Sequence, residues 1–181
     1  GRAEDLQGGA VFVIGVKQVL LDSVEVINNE SSWEGGGLYL GSEDVVIRNS
    51  LFSGNHSGSH GGALLLANSS AQLVNVTFDG NTAVDSIIRV SSDNLVKLVN
   101  VTAVRNETAI ILHARNSSSS TTLINSIFSG NQGWSLAFEG GAVFDSSLSR
   151  NNIINSISGA FVADGFNDNQ MGVINPLVGV L

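Results

Sequence analysis

Five eleven-residue segments of this chain align without gaps: VLLDSVEVINN (19–29), VVIRNSLFSGN (45–55), AQLVNVTFDGN (71–81), VKLVNVTAVRN (96–106) and TTLINSIFSGN (121–131). Their starting positions are spaced by 26, 26, 25 and 25 residues. A second block runs between them: GGAVFV (8–13), GGGLYL (35–40), GGALLL (61–66), then the weaker SIIRV (86–90), TAIILH (108–113), GWSLAF (133–138) and SGAFVA (158–163). A unit of this length cannot bury its own apolar face, so it must stack on its neighbours to build a continuous core. The spacing therefore predicts a solenoid of about seven coils of 23–27 residues, forming one domain over 1–181.

The columns of the alignment say what kind of solenoid. Leu21, Ile47, Leu73, Leu98 and Leu123 are always aliphatic, and Val19, Val45, Ala71, Val96 and Thr121 are mostly apolar. The position between them (Leu20, Val46, Gln72, Lys97, Thr122) tolerates polarity and is expected to face out, which is strand periodicity. Five residues after the aliphatic column come Val26, Phe52, Phe78, Ala103 and Phe128, placed to stack rung on rung inside. An antiparallel sandwich has no reason to keep a column in register over five repeats. A parallel coil does, because equivalent residues lie about 4.8 Å apart along its axis.

Asparagine forms two files. One is Asn29, Asn55, Asn81, Asn106 and Asn131; the other is Asn49, Asn75, Asn100 and Asn125, with Ser23 at its head. Asparagine tolerates left-handed backbone at bends, and stacked amides can bond from coil to coil, so both files read as structural ladders. The Gly-Gly pairs read as corners needing positive φ or close backbone approach.

Composition sharpens this. Short β-branched runs between Gly, Ser and Asn clusters are many strands joined by tight turns, and no capped amphipathic run predicts a helix. The net charge of −8 with eight Lys and Arg leaves no basic stripe for phosphates, so nucleic acid is not an expected partner. No apolar run reaches the 18 or more residues of a membrane-spanning helix, and membrane insertion is not expected of this segment. The absence of cysteine does not decide the compartment.

The GGA-aliphatic element and Phe-x-x-Asn together resemble the paired repeat signature of the polymorphic outer membrane proteins of chlamydiae and related β-helix surface proteins. The matches are Gly61-Gly62-Ala63-Leu64, Gly140-Gly141-Ala142-Val143 and Gly8-Gly9-Ala10-Val11, with Phe52–Asn55, Phe78–Asn81 and Phe128–Asn131. Val26 and Ala103 replace the Phe in the first and fourth repeats. The tail Asn175-Pro176-Leu177 is similar to the end of repeat regions in surface-anchored β-helix proteins. The resemblance implies an all-β, single-stranded, right-handed parallel β-helix of the pectin-lyase-like kind, displayed at a cell surface.

Some parallel β-helices act on polysaccharides, and in a solenoid the residues for that chemistry must recur about one repeat apart and point outward from one sheet. Lys17, Arg48, Arg89, Lys97, Arg105, Arg115 and Arg150 form no obvious column, and Arg105 occupies a turn column otherwise filled by Gly or Asn. Glu139 and Asp164, 25 apart, could be rung neighbours; Asp79 and Asp85 flank one turn, and Glu43-Asp44 another. His56 and His60 lie in a Gly/Ser-rich turn rather than on the helix that would pair them on a metal. Trp33, Trp134 and Tyr39 could stack on sugars, while Trp134 and Tyr39, which flank or occupy the GGA-type strands, could equally be core or cap packing. The bland reading, solvated turn residues, is preferred throughout, so no catalytic, cofactor or metal residue is assigned.

Seven Asn-x-Ser/Thr sequons occur, at Asn29, Asn55, Asn68, Asn75, Asn100, Asn106 and Asn116. A Ser/Thr-rich asparagine repeat generates sequons automatically. Asn75 and Asn100 are expected to be at least partly buried in their ladder, which leaves Asn68 and Asn116, in polar loops, as the glycosylation candidates. The expected function is a non-enzymatic extracellular or cell-surface module: an adhesin passenger, stalk or fibre subunit. Its expected partners are itself, stacked end to end, or flanking coils of a longer parent, together with cell-surface glycans or proteins. The alternative is a polysaccharide-active or carbohydrate-binding β-helix. A groove with three or more outward carboxylates or bases on adjacent rungs would favour the alternative.

Overall fold

The computed structural model describes residues 1–3, 7–91, 95–115, 119–158 and 168–171. These wind through about six turns of a right-handed parallel β-helix, with no helix among them. The expected seventh coil at 158–163 lies almost wholly outside the described residues, as do the tail at 175–177, Asp164 and Asn116.

The aligned columns are the rungs. Leu21, Ile47, Leu73, Leu98 and Leu123 pair in parallel register from coil to coil, as do Val19, Val45, Ala71, Val96 and Thr121. The register continues past the bend through Val26, Phe52, Phe78, Ala103, Phe128 and Ile154. Within each long strand side chains alternate inward and outward, so Val45 and Ile47 are buried while Gln72 and Lys97 are exposed. Phe52 and Phe78 stack inside with centroids 4.9 Å apart and planes 21° from parallel. Burying one such ring contributes roughly 2–3 kcal/mol, so the column is a principal source of coil-to-coil cohesion.

The two asparagine files divide the labour at the corners. Ser23, Asn49, Asn75, Asn100, Asn125 and Asn151 all adopt left-handed backbone, with φ from 51 to 57°. Their side chains point outward, and three of the asparagines donate back one coil along the file: Asn75 Nδ2 to Asn49 Oδ1 (3.0 Å), Asn100 Nδ2 to Asn75 Oδ1 (2.9 Å), Asn151 Nδ2 to Asn125 Oδ1 (3.0 Å). In the other file the left-handed residue is the one before the asparagine: Asn28, Gly54, Gly80, Arg105 and Gly130. That frees the asparagine to turn its amide inward.

There Asn55 Nδ2 donates to Asn81 Oδ1 (2.9 Å) and to Val26 O (2.8 Å), and Asn81 repeats the pattern onto Asn106 Oδ1 and Phe52 O. Each acceptor oxygen also receives the backbone N–H of the preceding coil's asparagine. The inner ladder thus donates forward and the outer ladder backward. One expectation is corrected. Asn75 and Asn100 are exposed, not part-buried, because a left-handed bend throws its side chain away from the core.

The glycine pairs do two jobs. Gly61 holds a φ of 67°, while a Cβ on Gly62 would sit 2.4 Å from Thr82 O of the next coil. Left-handed backbone at the first and contact at the second leave no room for a side chain.

Candidate functional site

One outward column crosses six coils: Phe12, Tyr39, Leu65, Arg89, His113 and Ala137, paired in register between two inward-facing aliphatic columns. Its first members are an aromatic pair, Phe12 and Tyr39, with centroids 4.9 Å apart. Its middle is buried although it faces out: Leu65 is 2% exposed, Arg89 6% and His113 4%. The first residue of the strand His60–Ala67 and the bend residue Asp85 lie against it, bringing His60 and Asp85 onto the same face.

The polar groups converge on Asp85. Its Oδ2 lies 2.9 Å from His60 Nδ1, 3.0 Å from His113 Nδ1 and 3.4 Å from Arg89 Nη1. Arg89 Nη1 also contacts His113 Nδ1 directly, and its Nε donates to Ser91 Oγ at 3.1 Å. On the far side His113 Nε2 approaches Glu139 Oε2 at 3.3 Å without hydrogen-bond geometry, and Arg115 Nε stands 3.8 Å from the same oxygen. Two carboxylates and four basic side chains therefore share one face. Arg89, His113, Arg115 and Glu139 lie on the adjacent rungs Ser86–Ser91, Glu107–Arg115 and Gln132–Glu139, Asp85 immediately precedes the first of these, and His60 opens the rung before it.

The arrangement fixes what each group can do. Burial alone would raise the Asp85 carboxyl, but the close approach of His113 and His60 outweighs it and holds the group well below the usual carboxylate range. Burial lowers the Arg89 guanidinium from its ordinary value and the Asp85 charge opposes this, so Arg89 stays a cation. His113 Nδ1 stands between a guanidinium that only donates and a carboxylate that only accepts. With its proton on Nε2 it accepts from Arg89 and faces Glu139; with a proton on Nδ1 it serves Asp85. The charges are internally balanced, and the solvent-facing groups are Glu139 and Arg115, with Trp134 exposed on the Glu139 strand.

Of the seven basic residues that form no column in sequence, two meet here: Arg89 registers with His113, and Arg115 with Glu139. The signal was the weak block SIIRV and TAIILH, where Arg and His replace Leu65 at one strand position. Two candidate pairings part company. His56 bonds Thr82 Oγ1 at 2.8 Å while His60 turns to Asp85, and Asp79 pairs with Arg105 away from Asp85. Among the described residues no group of three or more His, Asp or Glu is arranged to hold a metal ion. The Glu139–Asp164 pairing lies outside the described residues. Glu43 lines a cleft of about 510 Å³ with Lys17, Tyr39 and Asn68, beside the aromatic end of the column. Trp33 and Trp134 are both exposed, so neither is core.

A six-turn parallel coil with a polar cluster set into one sheet face defines a single-stranded β-helix solenoid carrying a surface site. Its sequence matches the family model described as the right-handed β-helix region over residues 5–175, and the chain belongs to that family. Comparison with curated proteins and with solved structures returns no significant match. This fold is compatible with a structural, adhesive or carbohydrate-active module.

Proposed function

We propose that the chain is a non-enzymatic extracellular module of the surface-adhesin, stalk or fibre kind, which binds glycan along the column from Phe12 to Ala137. The observation that carries this is the mutual engagement of the cluster. Arg89 and His113 are buried in the sheet and bond each other and Asp85 in the adjoining bend, which suits a fixed recognition surface better than a proton-transfer centre. The rim supplies what sugars need: aromatic faces at Phe12, Tyr39 and Trp134, and hydroxyl-binding carboxylates at Glu43 and Glu139. Kinship with the chlamydial surface proteins belongs to this proposal, resting on the GGA and Phe-x-x-Asn elements. So does assembly with a flanking coil or a second copy. On the outermost described rung Val11, which registers with the buried Leu38, is exposed, and the core opens as a cleft of about 380 Å³ lined by Val11, Leu21, Val24 and Val26. Concentration-dependent mass in light scattering supports that assembly; a monomer at high concentration argues against it.

The second reading, a polysaccharide-active β-helix, is favoured by the two carboxylates and four basic side chains on one face, with Glu139 facing solvent beside His113. One panel separates the two. Neutral and acidic polysaccharides are tested for retention on immobilised protein and, in parallel, for new reducing or unsaturated ends. Retention without cleavage, weakened by Tyr39→Ala or Trp134→Ala, supports the binding module. Cleavage abolished by Glu139→Gln overturns it in favour of the enzyme.

A further inference from the structure

We infer that, among the described residues, Asn68, Asn75 and Asn100 are the positions at which this solenoid accepts an amide-linked oligosaccharide, and that the sequons at Asn29, Asn55 and Asn106 are closed to it. The transfer would join the anomeric carbon of a lipid-pyrophosphate-linked oligosaccharide to Nδ2. The C1–O bond to pyrophosphate breaks and the lipid pyrophosphate leaves with the electron pair. The amide nitrogen gives up one proton as the C1–N bond forms. The product keeps a single N–H.

That remaining N–H decides which sites survive folding. In the inner file both amide hydrogens are engaged in the interior: Asn29 Nδ2 with Ile27 O and Asn55 Oδ1, Asn55 Nδ2 with Val26 O and Asn81 Oδ1, Asn106 Nδ2 with Phe78 O and Asn131 Oδ1. A sugar there removes one donor, orphans a buried acceptor and must pass through packed backbone. In the outer file Asn75 Nδ2 and Asn100 Nδ2 each make one bond, to Asn49 Oδ1 and Asn75 Oδ1, and are exposed. One hydrogen is spare for exchange and the other can keep the ladder. Asn68 is exposed at a left-handed bend beside the Tyr39 cleft.

The ladder also limits occupancy. Asn75 and Asn100 sit on adjacent rungs, their amides 2.9 Å apart and the coils about 4.8 Å apart, closer than two pyranose rings can stand side by side. A folded molecule therefore carries sugar on one of the pair.

The inference rests on the extracellular reading for its relevance in the source cell. Its test does not, because the host supplies the transferase. The full chain with Asn116→Gln and an appended acceptor sequon is secreted from a eukaryotic host. Folded monomer is separated from aggregate and its sites are mapped by mass spectrometry after enzymatic sugar release in heavy-oxygen water. Intact mass counts the chains. The folded fraction should carry sugar at Asn68 and at either Asn75 or Asn100, with occupied Asn55 and Asn106 confined to aggregate. Asn75→Gln should raise occupancy at Asn100. Sugar on Asn55 or Asn106 in folded monomer overturns the inference. So does an occupied appended sequon with bare Asn68, Asn75 and Asn100, or a folded molecule with Asn75 and Asn100 both occupied.

Discussion

Replacing Asn81 by alanine tests the inner ladder where it is most completely satisfied. The Asn81 amide is fully buried and takes part in four hydrogen bonds: it accepts from Asn55 N (3.0 Å) and Asn55 Nδ2 (2.9 Å) and donates to Phe52 O (3.0 Å) and Asn106 Oδ1 (3.0 Å). Two of its partners have alternatives. Asn55 Nδ2 keeps Val26 O, and Asn106 Oδ1 keeps Asn81 N. Asn55 N and Phe52 O lose their amide partner, and a buried orphan costs about 1–3 kcal/mol. The substitution should therefore destabilise by roughly 2–6 kcal/mol, a large part of a typical domain's net stability.

The matched control is Asn75→Ala in the outer ladder. Water replaces its exposed amide bonds, leaving mainly the cost of alanine in left-handed backbone, about 1–2 kcal/mol. Equilibrium urea unfolding followed by far-ultraviolet circular dichroism gives both values. Amide exchange of the coils flanking residue 81 checks that the loss is local, since solenoid coils can open in part. If Asn81→Ala costs no more than Asn75→Ala, the distinction between the ladders is wrong.

Three further outcomes are expected. Gly80→Ala introduces a Cβ with nothing within 4 Å, so its cost should be the left-handed backbone alone, about 1–2 kcal/mol, whereas Gly62→Ala, meeting Thr82 O at 2.4 Å, should cost clearly more in the same urea assay. Phe78→Ala should cost about 3–5 kcal/mol and lower the thermal midpoint, because the ring is fully buried against Phe52 and Ala103 faces it from the next coil. Asp85 has a depressed folded-state pKa, so its contribution to stability is present above the ordinary carboxylate value near 4 and is lost as pH falls towards the folded value. Asp85→Asn should therefore flatten the acid limb of midpoint against pH relative to wild type; an unchanged limb would remove Asp85 from the network.

The repeat alone determined the coil. Its register, the inward Leu/Ile/Val and Phe columns and the outward position of Gln72 and Lys97 follow from periodicity, because stacking forces equivalent residues to share an environment. The same stacking explains why the site was hard to see. Arg89 and His113 sit in the less regular block, and Asp85, His60 and Glu139 reach them from turns or from another coil. Only tertiary structure decided that these five share a face.

Asparagine shows the same division. The sequence marked both files, but one residue type served two opposite ends. Which file turned inward depended on which residue, the asparagine itself or its predecessor, took the left-handed bend. A bend of that kind reverses a side chain's face without changing the spacing, so spacing could reveal the ladders but not which of them lies inside.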